Sequence, residues 1–130
     1  MKNLLFALTL ALLLGGCEDP PIENPNAIIS FEMDTTGMPK YDTEVAEVVL
    51  AVHIYDNPWG YDGIKSVVRG TATEIELTQF TIGNIYYLCI ETMALDSRDY
   101  TIAWYIFEKE FVLKNKKMKF RCNYEGEIIP

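Results

Sequence analysis

Between Lys117 and Glu125 the side chains alternate without a break, with Met118, Phe120, Cys122 and Tyr124 on one side and Lys117, Lys119, Arg121, Asn123 and Glu125 on the other. A period of two puts all the apolar groups on one face of an extended strand, so this segment needs a core on one side and water on the other. Most of the chain from Ala27 onward divides in the same manner. Strands are predicted over residues 27–33, 45–55, 64–69, 72–80, 85–91, 100–107 and 111–113, besides 117–125, with Gly, Pro, Asn and Asp at most of the breaks. In the second of these, Ala46, Val48, Leu50, Val52 and Ile54 share one face, and Glu47, Val49, Ala51, His53 and Tyr55 the other. Val45, Val48, Val49 and Val52 would also suit a helix, but the density of β-branched residues favours a strand. Residues 85–91 are apolar on both faces, which predicts a central strand. Seven or eight short strands and no convincing helix predict an all-β fold, a single antiparallel β-sandwich over residues 27–130.

The first residues obey a different logic. Lys2 supplies a positive charge, Leu4 to Leu14 is apolar except for Thr9, and the stretch ends Leu14-Gly15-Gly16-Cys17. A basic start, a short apolar core and small residues at a cleavage point are the layout of a secretory signal, too short for a spanning helix. Leu14-Gly15-Gly16-Cys17 resembles the lipobox of bacterial lipoproteins. The resemblance implies removal of residues 1–16, lipid on Cys17, and a membrane as partner through that lipid. Residues 17–26 follow as a polar segment with Pro20, Pro21 and Pro25, expected to be an extended tether. Glu18 and Asp19 directly after the cysteine resemble the surface-export signal of Bacteroidota-type lipoproteins, which implies an outer-membrane anchor at the cell surface or on its periplasmic side.

Loss of Lys2 with the leader leaves 10 Lys+Arg against 19 Asp+Glu, a formal charge of −9. By net charge, nucleic acid and anionic lipid surfaces are poor direct partners, and solubility is the plainest use of the acidity.

A second resemblance concerns the folded part. Val52-His53-Ile54-Tyr55-Asp56, a loop to Asp62-Gly63-Ile64, and Ile82-Gly83-Asn84-Ile85-Tyr86-Tyr87-Leu88 resemble transthyretin-like sandwiches, including carboxypeptidase-regulatory-like and fimbrillin-related domains. The Pro-x-x-Gly-Ala segment often found in those domains is replaced here by Tyr61-Asp62-Gly63-Ile64. The architecture is what this implies, since one such fold hosts many functions.

Residues for chemistry are sparse. His53, the sole imidazole, has no nucleophile near it in sequence. Cys89 and Cys122 could bridge the central strand to the last one, but Cys122 shares the apolar face whereas Cys89 shares its face with Glu91, so separate thiols stay open. The loop bearing Asp56, Asn57, Trp59, Tyr61 and Asp62 has oxygen ligands and aromatic rings suited to calcium or a sugar, yet also the composition of a tight connection, and it lacks a bidentate Glu. Tyr100, Trp104, Tyr105 and Phe107 put large rings on both faces of one strand, which is therefore central or carries Tyr105 and Phe107 as an exposed patch. Nucleophile elbows, phosphate loops and helical zinc motifs are absent from the sequence, so no cofactor, no metal and no enzymatic activity are expected. The expected function is a membrane-anchored binding module of the cell envelope with a protein or glycan partner. Alternatives are a fimbrial or other envelope-assembly subunit and, third, a small enzyme or sugar-binding accessory protein.

Overall fold

A computed structural model describes residues 25–57 and 63–130, and the leader, Cys17 and most of the tether therefore lie outside the described residues. Eight strands follow in order: β1 (Ala27–Asp34), β2 (Glu47–Tyr55), β3 (Gly63–Arg69), β4 (Ala72–Leu77), β5 (Ile85–Leu95), β6 (Thr101–Val112), β7 (Lys117–Asn123) and β8 (Ile128–Ile129). They form two four-stranded sheets, β4-β1-β7-β8 and β3-β2-β5-β6, packed face to face as an all-β sandwich. Every pairing is antiparallel except β1 with β7, which run parallel from Ile28 opposite Lys117 to Asp34 opposite Asn123.

The core forms where the period-two patterns converge. Ile29, Phe31 and Met33 from β1, Ile75 and Leu77 from β4, and Cys122 from β7 meet Leu50, Val52 and Ile54 from β2 and Leu88 and Ile90 from β5. Phe31 stacks on Phe120 with ring centroids 5.5 Å apart, and Phe111 meets Phe120 edge-on at 5.3 Å, a geometry that suits ring quadrupoles. On one flank, β3 and β4 turn from sheet to sheet, and the Ser66 and Thr73 hydroxyls are 2.5 Å apart across the corner. On the other flank the turn after β7 fills the gap. Thr92, the one buried polar side chain among the described residues, donates from its hydroxyl to the Tyr124 carbonyl, and Gly126 lies against Ile90 and Phe107.

Several boundaries differ from the sequence expectation. β4 stops at Leu77, β5 continues to Leu95, and β8 is an additional two-residue strand. The segments expected at 100–107 and 111–113 are one strand, because Glu108, Lys109 and Glu110 continue the extended backbone where charge is tolerated at a sheet edge. Neither alternative for the 100–107 segment holds: the strand lies at the edge of its sheet and not centrally, and Tyr105 and Phe107 turn inward and are half-buried while Trp104 and Ile106 face water.

The two cysteines are both free. Cys122 sits in the core between the sheets, whereas Cys89 is on the outer face of β5, so the side chains lie on different sides of a sheet and no bridge closes.

Candidate functional site

The outer face of the β3-β2-β5-β6 sheet gathers side chains that are far apart in sequence. Registers set them in rows: Lys65, His53, Cys89 and Glu108 in one, Val67, Ala51, Glu91 and Ile106 in the next, then Arg69, Val49, Met93 and Trp104. Side chains directly opposite across a ladder come within about 5.5 Å at Cβ, so each row is a set of touching neighbours.

The first row is polar but chemically quiet. The Tyr55 hydroxyl lies 2.6 Å from His53 Nδ1, a hydrogen bond whose direction follows the imidazole tautomer, with the two rings tilted against each other at 4.3 Å. Burial lowers the His53 pKa, and Lys65 beside it acts in the same direction against the opposing pull of Glu91. Burial likewise pushes the Cys89 thiol up to about 11, with Glu91 and Glu108 adding to the rise. A thiol held protonated is a poor nucleophile, so this Cys–His neighbourhood does not amount to an activated pair. The sequence could not show it, because His53 and Cys89 meet only across β2 and β5.

The next two rows are apolar but for one charged residue each, Glu91 and Arg69. Val49 and Ala51 face outward yet are only 6% and 2% exposed, small side chains flanked by Arg69 and Met93 or by Val67 and Glu91. Around them stand Trp104 at 59%, Val67 at 55% and Ile106 at 52% exposure. Trp104 and Ile106 belong to β6, the outermost strand of its sheet, whose far edge pairs with no strand among the described residues. Thr101 to Phe107 carries no charge, whereas Glu108, Lys109 and Glu110 guard the second half. Natural edge strands are normally blunted by charge, proline or a bulge, and the first half of β6 has neither charge nor proline, its one irregularity being the register shift at Ile102, between the pairs Ala94–Ala103 and Leu95–Thr101.

The loop predicted as a ligand site is only partly described, since Trp59, Tyr61 and Asp62 lie outside the described residues. Asp56 and Asn57 are within them, and the Asn57 amide donates to Asp56 Oδ1 at 3.1 Å. Asp56 lines an open hollow of about 320 Å³ with Ile54, Thr78, Gln79 and Tyr86, and it also borders a second of about 240 Å³ toward Thr81 and Asn84. Tyr86 anchors the far wall by accepting the Thr81 N–H at 2.9 Å. No group of three or more His, Cys, Asp or Glu suited to a metal exists among the described residues.

At the other end a hollow between Glu44 and Arg98 is lined in part by Asp96, Arg98 and Tyr100, which are engaged in building the β5–β6 turn, and an ion-pair cluster outside its lining ties β2, β3 and that turn together. Asp96 accepts N–H bonds from Arg98 and Tyr100 at 2.8 and 2.9 Å, and Arg69 ties Glu47 to Asp99 at 2.6 and 3.0 Å.

Comparison with known proteins finds no matching family model, no matching curated protein and no matching solved structure.

Proposed function

We propose that this chain is a lipid-anchored binding module of the bacterial cell envelope, held to the outer membrane through Cys17, that engages a protein partner along β6. The observation that carries the reading is the uncharged first half of that edge strand, with Trp104 and Ile106 exposed beside it. An extended segment of a partner can add to such an edge through main-chain hydrogen bonds, while outward rings and branched side chains supply the anchors. The lipobox-like Leu14-Gly15-Gly16-Cys17 supports the anchor, and the two four-stranded sheets are in keeping with kinship to transthyretin-like sandwiches. Subunit-to-subunit addition along the same edge, as in an envelope assembly, is the variant of this reading in which the partner is another copy.

Photo-crosslinking in intact cells tests the surface. A photoreactive residue at position 104 or 106 is expected to give a discrete protein adduct that Ile106→Lys in the former variant removes, while one at Ser30, outside the opposite sheet, gives none. Equal adducts from both sheets, or none from β6, would end the proposal. Cys17→Ala is expected to leave unlipidated precursor or to release the protein from the membrane fraction; fractionation like wild type would refute the anchor.

A second reading rests on the hollow beside Asp56, whose carboxylate, amide and hydroxyl lining suits a sugar. Titration with envelope glycans should then change tryptophan fluorescence in the native protein and not in Asp56→Ala.

A further inference from the structure

Seven strand ends meet at one pole of the sandwich. β1, β3, β5 and β7 begin there and β2, β4 and β6 end there, as the pairings Ala27 with Leu77, Ile28 with Lys117, Tyr55 with Gly63 and Tyr87, and Ile85 with Val112 require. The segment leading from Cys17 joins the fold at this same pole, at Ala27.

The turn between β6 and β7 sits directly beside that junction, because Ile28 N–H donates to the Lys116 carbonyl at 2.7 Å. It is also tied to the β4–β5 connection, with Gly83 N–H donating to Leu113 O at 2.8 Å and Leu113 N–H to Asn84 O at 3.0 Å. These bonds bring exposed Lys114, Lys116 and Lys117 to one corner with exposed Ile82, Ile85 and Val112. Branched apolar side chains rimmed by lysines are the composition of a surface that rests in the headgroup region of an anionic bilayer.

Net charge alone argues against such a contact, but its distribution does not. Asp42, Glu44, Asp96, Asp99, Glu125 and Glu127 belong to the connections at the opposite pole; toward the lysine end the described acids are Asp56, Glu76 and Glu110, spread over three separate segments, and Asp62 and the tether's Glu18, Asp19 and Glu23 connect there in sequence, whereas Lys114, Lys116 and Lys117 are gathered in a single turn. β5, at 11 residues, spans about 37 Å. With a Debye length of about 8 Å in physiological salt, a membrane at the lysine pole is screened from the acids of the far one. The eight residue steps from Cys17 to Pro25 reach at most about 29 Å, so lipid on Cys17 would keep this pole within contact range and make docking effectively intramolecular.

We infer that the pole bearing Lys114, Lys116 and Lys117 docks on an anionic lipid surface, with Ile82, Ile85 and Val112 at the interface. The lysines meet lipid phosphates, the acidic pole points away from the bilayer, and the β6 edge stays accessible at the side. This orientation rests on the anchored reading, so the test supplies an anchor of its own. Residues 17–130 with Cys17→Ser and an N-terminal decahistidine contain every described contact, and they can be loaded on vesicles of phosphatidylcholine and nickel-chelating lipid, with or without phosphatidylglycerol.

Amide exchange over residues 81–85 and 112–117 is expected to slow on the phosphatidylglycerol vesicles by about fivefold or more, the gain from even a single lysine at an anionic surface. Residues 96–100 should exchange equally on both vesicles. Lys114→Glu, Lys116→Glu and Lys117→Glu together should abolish the slowing, the three Gln substitutions should reduce it, and about 0.5 M salt, where the Debye length halves, should remove it. Equal exchange on the two vesicles, or slowing that survives charge reversal, would overturn the inference. Acylation of Cys17 is judged separately, from the mass of the native N-terminal peptide.

Discussion

Cys89 and Cys122 differ in surroundings although neither is bonded, and their reactivity should separate them. With the Cys89 pKa pushed to about 11 by burial and two neighbouring glutamates, its thiolate fraction near neutral pH falls about a hundredfold below that of an ordinary thiol. Iodoacetamide followed by mass spectrometry should therefore label Cys89 slowly and leave buried Cys122 unlabelled until denaturant is added. Rapid labelling of native Cys89 would show that its row is more open than the structure has it. Gly126 offers a test of backbone. Its φ of +82° favours glycine, and an added Cβ would sit 3.3 Å from both Ile90 Cγ2 and Ile90 O. Gly126→Ala should cost about 1–3 kcal/mol in chemical denaturation. At this scale the sequence was partly legible: the outward direction of Cys89 follows from Glu91 two residues on, and the inward direction of Cys122 from Met118 and Phe120. The partnership of His53 with Tyr55 was readable as an i, i+2 pair on one face, but its opposition to Cys89 was not, because register between distant strands leaves no local trace.

Elements were legible where alternation was strong and obscured where charge interrupted it. The division of β6 at Glu108-Lys109-Glu110 treats a charged triplet as a break, yet at the rim of a sheet the backbone runs on through such residues. β8 has two residues, too few for any period to register. Strand direction was invisible as well, since alternation along β1 and β7 is the same whether they run parallel or antiparallel. The site fared less well than the fold: the sequence left open a central strand or an exposed patch of Tyr105 and Phe107, and the structure has an edge strand that turns out Trp104 and Ile106, one residue away in register. β1 and β6 should respond oppositely to substitution. Phe31 is buried in a central strand against Phe120, so Phe31→Ala should lower unfolding free energy by about 3–5 kcal/mol. Ile106→Lys, on an exposed edge, should change it by less than about 0.5 kcal/mol while suppressing concentration-dependent light scattering. A large stability loss for Ile106→Lys would mean that its face is covered.

Across the whole molecule the charges are unevenly placed and mostly exposed. The ion pairs Arg69 with Glu47 and Asp99, Lys119 with Glu32 and Arg121 with Asp34 all sit at the surface, where such pairs contribute little to stability. Repulsion among the excess acidic groups is the larger electrostatic effect, and salt screens it. Raising sodium chloride from low to physiological concentration should therefore increase the thermal midpoint by a few degrees, as read by circular dichroism, and a decrease would show that the pairs dominate.

The parallel pairing of β1 with β7 also orders events in time. Ile28 finds Lys117, and Phe31 finds Phe120, only after the chain has grown by a further 89 residues past each (117 − 28 and 120 − 31). Until then β1 has β4 as its sole neighbour in the sheet and an incomplete core behind it. Contacts this distant in sequence form slowly. A nascent chain should thus remain pliable until its last strands emerge, which is the condition a polypeptide needs if it is to be threaded across a membrane before it folds.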